Sequence, residues 1–382
     1  MTDDSPGAGA PAPAVPRYGS GSLADLAPSV LAALGVAGEE NRLGLPPVRR
    51  ACVLLVDGLG WELLRSHPAD APFLTALLAD GRRITAGFPT TTATSLTSLG
   101  TGRPPGGHGV FGYQVALPGS HRPFNQLRWN ADVDPERWQP HPTAFQRAEA
   151  AGVTTAYVAS GLFEGSGLTR ASARGGRYRQ ANDMSELVVR AEEALRAADR
   201  GYVFVYHPDL DATGHLFGSR SPNWRYHLGH VDRLVEQLAG ALPPDSALYV
   251  TGDHGMVDVS GEGRLDIESE PELTAGVRVL AGEPRARHVY AEPGAAADVL
   301  AAWRARLAGR AHVLGREEAV AAGWFGPVEE ELAPRIGDVV AAAYGDSALV
   351  APRAEAAESA LVGMHGSLTE EELAVPLLSA AG

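Results

Sequence analysis

Four apolar runs in the first two thirds of the chain end in polar residues of catalytic type. Ala51 to Val56 (ACVLLV) stops at Asp57-Gly58, and Thr154 to Ala159 (TTAYVA) stops at Ser160-Gly161. Tyr202 to Tyr206 (YVFVY) ends just before Asp209 and Asp211, and Ala247 to Val250 (ALYV) ends at Thr251-Gly252-Asp253-His254. Continuous apolar runs rich in β-branched and aromatic residues predict strands buried on both faces. Helical patterns lie between them. Asp70 is placed to cap a helix running to Gly81, Thr143 one that stops at Gly152, and Asp183 or Ser185 one that ends near Gly201. Trp224 to Leu242 repeats apolar residues at helical spacing. This alternation predicts an α/β fold, a three-layer sandwich around a mainly parallel central sheet. In such sheets ligands sit beyond the carboxyl ends of the strands, where the polar residues named above fall.

After His254 the texture changes. Short strand candidates at Gly276 to Leu280, His288 to Ala291 and Ala311 to Leu314 alternate with helical patterns at Ala295 to Leu307 and Glu317 to Ala322. The resulting division is a disordered tail over 1–20, an α/β catalytic core over 21–257, a small inserted α+β subdomain or cap over 258–337, and a return to the core over 338–382. The return is expected to begin with a strand from Ile336 to Tyr344. No internal repeat is present.

Composition narrows the function. The chain has 382 residues, 45% apolar and 20% charged, enough for one large domain with a small insertion. Its net charge is −14 and it contains no lysine, so every basic residue is Arg or His. A P-loop needs its lysine, which excludes that ATPase reading. An acidic surface repels nucleic-acid polymers, so no nucleic-acid partner is expected. No stretch approaches the length of a membrane span, and no membrane partner is expected. The start of the chain (MTDDSPGAGAPAPAVP) lacks the basic and apolar regions of a secretory signal. The single cysteine, Cys52, lies in an apolar run and reads as a buried structural thiol. These features lead to an expected cytoplasmic location.

Separated segments carry side chains suited to metals and phosphate. Asp57-Gly58 leaves a carboxylate free at a strand end, although Asp-Gly is first of all a turn signal. The stretch FPTTTATSLTSLGTGRPPGGHGVFGY, Phe88 to Tyr113, is dense in hydroxyls. They could cap backbone groups, or one could be a nucleophile at a helix N-terminus, where N–H groups favour a phosphate. Asp211 and His215, at i and i+4, share one side of a helical turn, with Asp209 as a competitor for the ligand role. Asp253-His254 sits between glycines, and Met364-His365-Gly366 lies near the C-terminus. Most of the twelve histidines, including His67, His121, His141, His227, His230, His288 and His312, read as structural. Three histidines and three aspartates at strand-end positions match zinc ligand chemistry, and two adjacent sites would suit in-line phosphoryl displacement.

The order Asp … Thr … Asp-x-x-x-His … Asp-His-Gly … His-Gly resembles the alkaline phosphatase superfamily. It is most similar to the nucleotide pyrophosphatase/type I phosphodiesterase family, over roughly 50–257 and 338–372. The segment from Thr101-Gly102 to His108-Gly109 matches that family's stretch after the nucleophile, and counting back from it places the nucleophile at Thr92. The resemblance implies an alkaline-phosphatase-like fold and a two-metal site, usually zinc with manganese as the alternative. It implies one ion held by Asp57, Asp253 and His254 and touching Thr92, and the other by Asp211, His215 and His365. His108 is implied as structural. The implied activity is hydrolysis of a phosphodiester or pyrophosphate bond in a small phosphoester or nucleotide through a phospho-threonine intermediate.

The chain departs from the family pattern at two positions. Ala93 stands where a base-stacking Phe usually follows the nucleophile. Tyr113 stands where an Asn helps bind the phosphoryl oxygen, and its hydroxyl could donate the same bond. Phe111, Tyr113 and Trp129 could line a pocket, though packing in the core or cap is the favoured reading. The alternatives are a phosphomonoesterase or phosphonate hydrolase of the same superfamily, or a metal-binding protein without turnover.

Overall fold

The computed structural model describes residues 12–117, 120–129 and 133–382. Its main sheet has seven strands, in the order Arg82–Thr85, Ala374–Ala381, Ser246–Gly252, Arg50–Val56, Gly201–His207, Thr154–Ala159 and Tyr178–Gln180. Neighbouring strands pair in parallel except around Ala374–Ala381, which runs antiparallel to both its neighbours. The central strand, Arg50–Val56, is buried from Ala51 onward. Its alternate residues serve two cores. Ala51, Val53 and Leu55 face the helices Leu26–Ala33, Thr92–Thr101 and Ala144–Ala150. Cys52, Leu54 and Val56 face Met184–Arg196 and Pro222–Gly240. Burying each large aliphatic side chain contributes roughly 1.5–3 kcal/mol, so the strand is fixed by both layers at once. Cys52 is fully buried, and burial pushes its thiol up to about 12, which leaves it inert.

The expected helix caps are realised with small shifts. Thr143 caps Ala144–Ala150 in a reciprocal arrangement with Gln146, and Asp183 accepts from Glu186 N at the start of Met184–Arg196. Around Asp70 the helix begins slightly later, at Pro72, whose fixed φ suits a first turn. Among the described residues, no helix is long and apolar enough to cross a membrane.

A second, four-stranded antiparallel sheet runs in the order Val277–Glu283, Ala286–Ala291, Val339–Ala343 and Ala311–Gly315. Here the structure departs from expectation. The strand predicted to return to the core at Ile336 to Tyr344 lies inside this small sheet, and the main sheet is rejoined by Ala374–Ala381. Val339–Ala343 is buried throughout, and an apolar run of that length suits the interior of either sheet. The tail also differs. Residues 1–11 lie outside the described residues, whereas 12–20 pack on the body. Ala14 N donates to Leu368 O, and the Tyr18 hydroxyl donates to Trp324 O while accepting from Phe88 N. One tyrosine anchors a segment whose Pro and Ala content predicts no contacts.

The two sheets are joined by a buried ion pair. Arg285, in the hairpin after Val277–Glu283, donates Nε to Glu372 Oε1 at 3.1 Å and Nη2 to Glu372 Oε2 at 2.6 Å, with both side chains fully buried. The remaining donors and acceptors are satisfied by Ser347 O, Gly345 O, Ser367 N and the Thr369 hydroxyl. Removing one partner strands the other charge in the interior. Arg285→Ala is therefore expected to lower unfolding stability by about 3–5 kcal/mol, read from the denaturation midpoint in urea. A midpoint equal to that of the wild type would show that the pair is not a fastening.

Candidate active site

The parallel register builds the site. Val56 aligns with His207 on one side and with Gly252 on the other, so three strands end at one level. Asp57 follows the first, the helix Asp209–Phe217 follows the second, and Asp253-His254 follows the third. Gly58 then lets the chain pass close beneath Asp211. It adopts φ +75°, and a Cβ there would lie 3.0 Å from both Cα and Cβ of Asp211. Gly58 N donates to Asp253 Oδ1 at 2.9 Å, tying the first strand end to the third.

Asp57, Asp253 and His254 form one cluster, with His254 Nε2 at 3.4 Å from Asp57 Oδ1 and 3.3 Å from Asp253 Oδ2. Asp211, His215 and His365 form an adjoining one. His215 Nε2 lies 3.0 Å from Asp211 Oδ2 and 3.3 Å from His365 Nε2. The His254 and His365 rings stack with centroids 3.6 Å apart, and Asp211, His254 and His365 also converge as a set. The three imidazoles share one orientation. Each turns Nδ1 to a backbone carbonyl: His254 to Gly255 O at 3.0 Å, His215 to Gly363 O at 2.8 Å, and His365 to Thr90 O at 2.8 Å. That arrangement aims every Nε2 inward, as metal-ligating histidines require.

The carboxylates are crowded. Asp57 Oδ1, Asp211 Oδ1 and Asp253 Oδ2 are buried and accept no hydrogen bond. Burial, then the charges of Asp253 and Asp211, push Asp57 well above the usual carboxylate range. Burial raises Asp253 as well. Burial alone would raise Asp211, but His215 and the other two imidazoles outweigh it and hold it low. Asp211 in turn overcomes the burial of His215 and raises it to about 9. Orphaned carboxylate oxygens facing inward imidazoles form the donor set of a divalent transition metal, and the residues present fit two such ions.

Thr92 opens the helix Thr92–Thr101, every residue of which is buried. Most of the hydroxyls around it are engaged. Thr90 donates to Ser367 O, Thr94 to Val110 O, Ser95 to Asp253 O, Thr97 to Ala93 O and Thr101 to Thr97 O. Ser98 meets His108 Nε2 at 2.9 Å, while Val110 N donates to His108 Nδ1. Burial drives His108 down to about 3, so it is a neutral packing element away from the clusters. Thr92 Oγ1 has only long contacts, 3.5 Å to Asp57 Oδ2 and 3.5 Å to His254 Nε2.

A cavity of about 250 Å³ opens over Thr92, Asp211, His215 and His365. A larger groove of about 980 Å³, around Glu62, Asp70, Arg225 and Asp346, contains none of these residues. The smaller cavity is the candidate substrate site, because Thr92 and the Asp211, His215 and His365 cluster line it. Tyr113 lines it too, but its hydroxyl donates to Glu358 Oε1 at 2.8 Å. Burial, then Glu358, pushes that hydroxyl up to about 12. Phe111 packs edge-on against Phe325 in the core and Trp129 against Phe124, so neither joins Tyr113.

Several further residues of the site emerge only from the fold. Tyr206 donates to Asp57 Oδ2 at 2.5 Å from the neighbouring strand. Glu283, from the small sheet, lies in the cavity, where burial pushes its carboxyl up to about 8. Arg128 arrives on a turn and Glu358 on the short helix Ala356–Ser359. Only for Tyr206 was a clue present, since a polar tip on the last residues of an apolar strand points at the sheet edge. Asp209 proves not to compete for the Thr92 clusters, because it turns towards His207 and His227.

Comparison with known proteins bears on the family and the fold. The family model for type I phosphodiesterase/nucleotide pyrophosphatase matches residues 51–368. The human ectonucleotide pyrophosphatase/phosphodiesterase family member 7 is 27% identical over 251 residues, which are 61% of this chain and 52% of that protein. The chain thus spans about half the length of this relative. Among solved structures, murine ectonucleotide pyrophosphatase/phosphodiesterase 5, an inactive threonine-to-alanine variant in complex with AMP, superposes with a TM-score of 0.69. It is 20% identical and the match covers 87% of this chain and 88% of that one. Phosphonoacetate hydrolase from Sinorhizobium meliloti 1021, with phosphonoformate, gives a TM-score of 0.67 at 19% identity, over 88% and 91% of the two chains. With the family model covering the strand ends, the hydroxyl-rich helix and the final histidine, the chain belongs to the type I phosphodiesterase/nucleotide pyrophosphatase family.

Proposed function

We propose that this chain hydrolyses a phosphodiester or pyrophosphate bond in a small phosphoester or nucleotide, with the Thr92 hydroxyl as nucleophile. The observation that carries the proposal is the isolation of Thr92 Oγ1. It lies within 3.5 Å of Asp57 and His254, while the hydroxyls named around it are held by other partners. In this reading one divalent ion is held by Asp57, Asp253 and His254 beside Thr92, and a second by Asp211, His215 and His365. Zinc suits these ligands, and manganese is the alternative. A bound pair supplies Lewis acidity, which lowers the pKa of a coordinated hydroxyl and neutralises charge on phosphoryl oxygens. Thr92 Oγ1 attacks phosphorus in line, the leaving oxygen departs on the far side, and water cleaves the resulting phospho-threonine ester. The N-terminus of the helix Thr92–Thr101 adds N–H groups suited to a phosphate.

The structural neighbours are consistent with this reading. One is an inactive threonine variant crystallised with AMP, which fits a nucleotide substrate here. The other, a phosphonoacetate hydrolase, suggests a carboxylated phosphonate as the second reading. The cavity speaks against that. Its one guanidinium is that of Arg128, and it also presents Glu358, which would repel a substrate carboxylate. A cytoplasmic location remains part of the proposal.

Thr92→Ala is expected to lower kcat on the order of 10⁴-fold or more, with metal content unchanged by elemental analysis. Near-normal turnover would remove Thr92 from the mechanism and make Thr91 the next candidate. Chelation should abolish hydrolysis of bis-p-nitrophenyl phosphate, and zinc or manganese should restore it. A preference for p-nitrophenyl phosphate would instead favour a monoesterase. Tyr206→Phe deletes the hydrogen bond to Asp57 while keeping the ring. It should weaken metal affinity or kcat by about 10–100-fold, measured by activity across a metal titration, and an unchanged titration curve would show the contact to be idle.

A further inference from the structure

A second group of metal-type ligands lies on the other side of the sheet. Along Gly201–His207 the side chains alternate, so Tyr202, Phe204 and Tyr206 face the core beneath Thr92 while Val203 and Val205 face the core around Trp224 and Leu228. His207 follows the second set. Its Nε2 meets His227 Nε2 at 3.0 Å, and the rings are near-parallel, 13° apart, with centroids separated by 5.3 Å. Asp209 completes the group, and one ligand atom from each residue lies within 4.8 Å of the other two. His207 is buried, His227 half-buried and Asp209 exposed, so an ion has a path from solvent.

We propose that His207, Asp209 and His227 form a third divalent-metal site, separate from the clusters beside Thr92, which takes zinc or a chemically similar transition metal. Two imidazoles on a tetrahedral ion with bonds of about 2.0–2.1 Å place their nitrogens about 3.3 Å apart. The observed pair needs only a slight opening and tilt. Two imidazoles and one carboxylate leave a fourth position for water at the open side. The three ligands come from the end of a strand, the first residue of Asp209–Phe217 and the second turn of Pro222–Gly240. An ion there clamps these elements together. The clamped helix is the one that carries Asp211 and His215, so the site positions catalytic-cluster ligands without touching substrate.

The test is Zn2+ and Co2+ titration of the full chain, wild type against His227→Asn, with elemental analysis of each. The wild type is expected to hold one equivalent more than the variant, whatever number the Thr92 clusters take. The separation from the catalytic reading follows from this difference, because failure of that reading changes both proteins equally. The variant should also lose part of the Zn2+-induced rise in unfolding temperature, since an ion bound only to the folded state stabilises it. Unfolding in EDTA should be alike in both, showing that the variant folds. If His227→Asn fails that control, Asp209→Asn at its exposed position carries the same comparison. Equal stoichiometry in wild type and variant would overturn the proposal and leave the histidines as a neutral N–H···N hydrogen bond.

Discussion

The register of three parallel strands is the constraint on which the site depends. Because Val56, His207 and Gly252 stand side by side, residues separated by about 200 positions in the chain emerge at one edge. The sheet is rigid at that edge because both faces of Arg50–Val56 are packed, and each strand is held by two neighbours. A shift of one residue in any strand would turn its polar terminus to the opposite layer. Gly58 shows how tight the arrangement is, since Asp211 occupies the space that a side chain would need. Three buried aspartates are thereby forced close to one another, an arrangement that costs stability unless positive charge offsets it. The protein places histidines against them, with each Nδ1 fastened to a carbonyl, and the carboxylate oxygens left unpaired define where further positive charge belongs.

The hydroxyl-rich segment shows how burial selects one group among similar ones. A helix of threonines and serines in the protein interior must satisfy each hydroxyl, and here most do so by donating to a carbonyl one turn back or across a packed neighbour. Ser95 bonds the backbone of Asp253 and so ties the helix to the strand end that carries a candidate ligand. Thr92 is at the first turn, where no earlier carbonyl of the helix is within reach, and it faces the clusters. Its long contacts follow from that position.

How legible this was depends on whether chemistry or partnership was being read. The alternation of apolar runs and helical patterns specified the layers, because strand burial on both faces is written in residue type. Asp57, Asp253 and His254 were legible because each directly follows a strand. Val339–Ala343 was misplaced because apolar residues declare burial without declaring which sheet provides it. The anchoring of 12–20 rests on the Tyr18 hydroxyl, which finds partners more than 60 residues away, beyond any local pattern. Tyr113 was assigned by alignment to a phosphoryl oxygen, whereas its hydroxyl is bonded to Glu358, a residue that only the fold brings near.

The same division runs through the active site itself. The reacting end of the cavity is built by strand termini of the main sheet and by one helix, elements whose positions follow from packing. The far end is built by Glu283 and Pro284 of the small sheet, by Ala357, Glu358 and Leu361, and by Tyr113 and Arg128. These belong to the hairpin, to the short helix Ala356–Ser359 and to loops that carry no shared pattern, and the buried Arg285–Glu372 pair sets where the hairpin stands. In the proposed reading, chemistry and selectivity therefore have different structural owners. A substitution in the main sheet would disturb the reacting groups for every substrate, whereas one in the hairpin would change which leaving group fits while the strand ends stay in place. In the proposed reading, Glu358 beside the Tyr113 hydroxyl, with the single guanidinium of Arg128, suits a leaving group that offers hydroxyls or amines over one that adds another carboxylate.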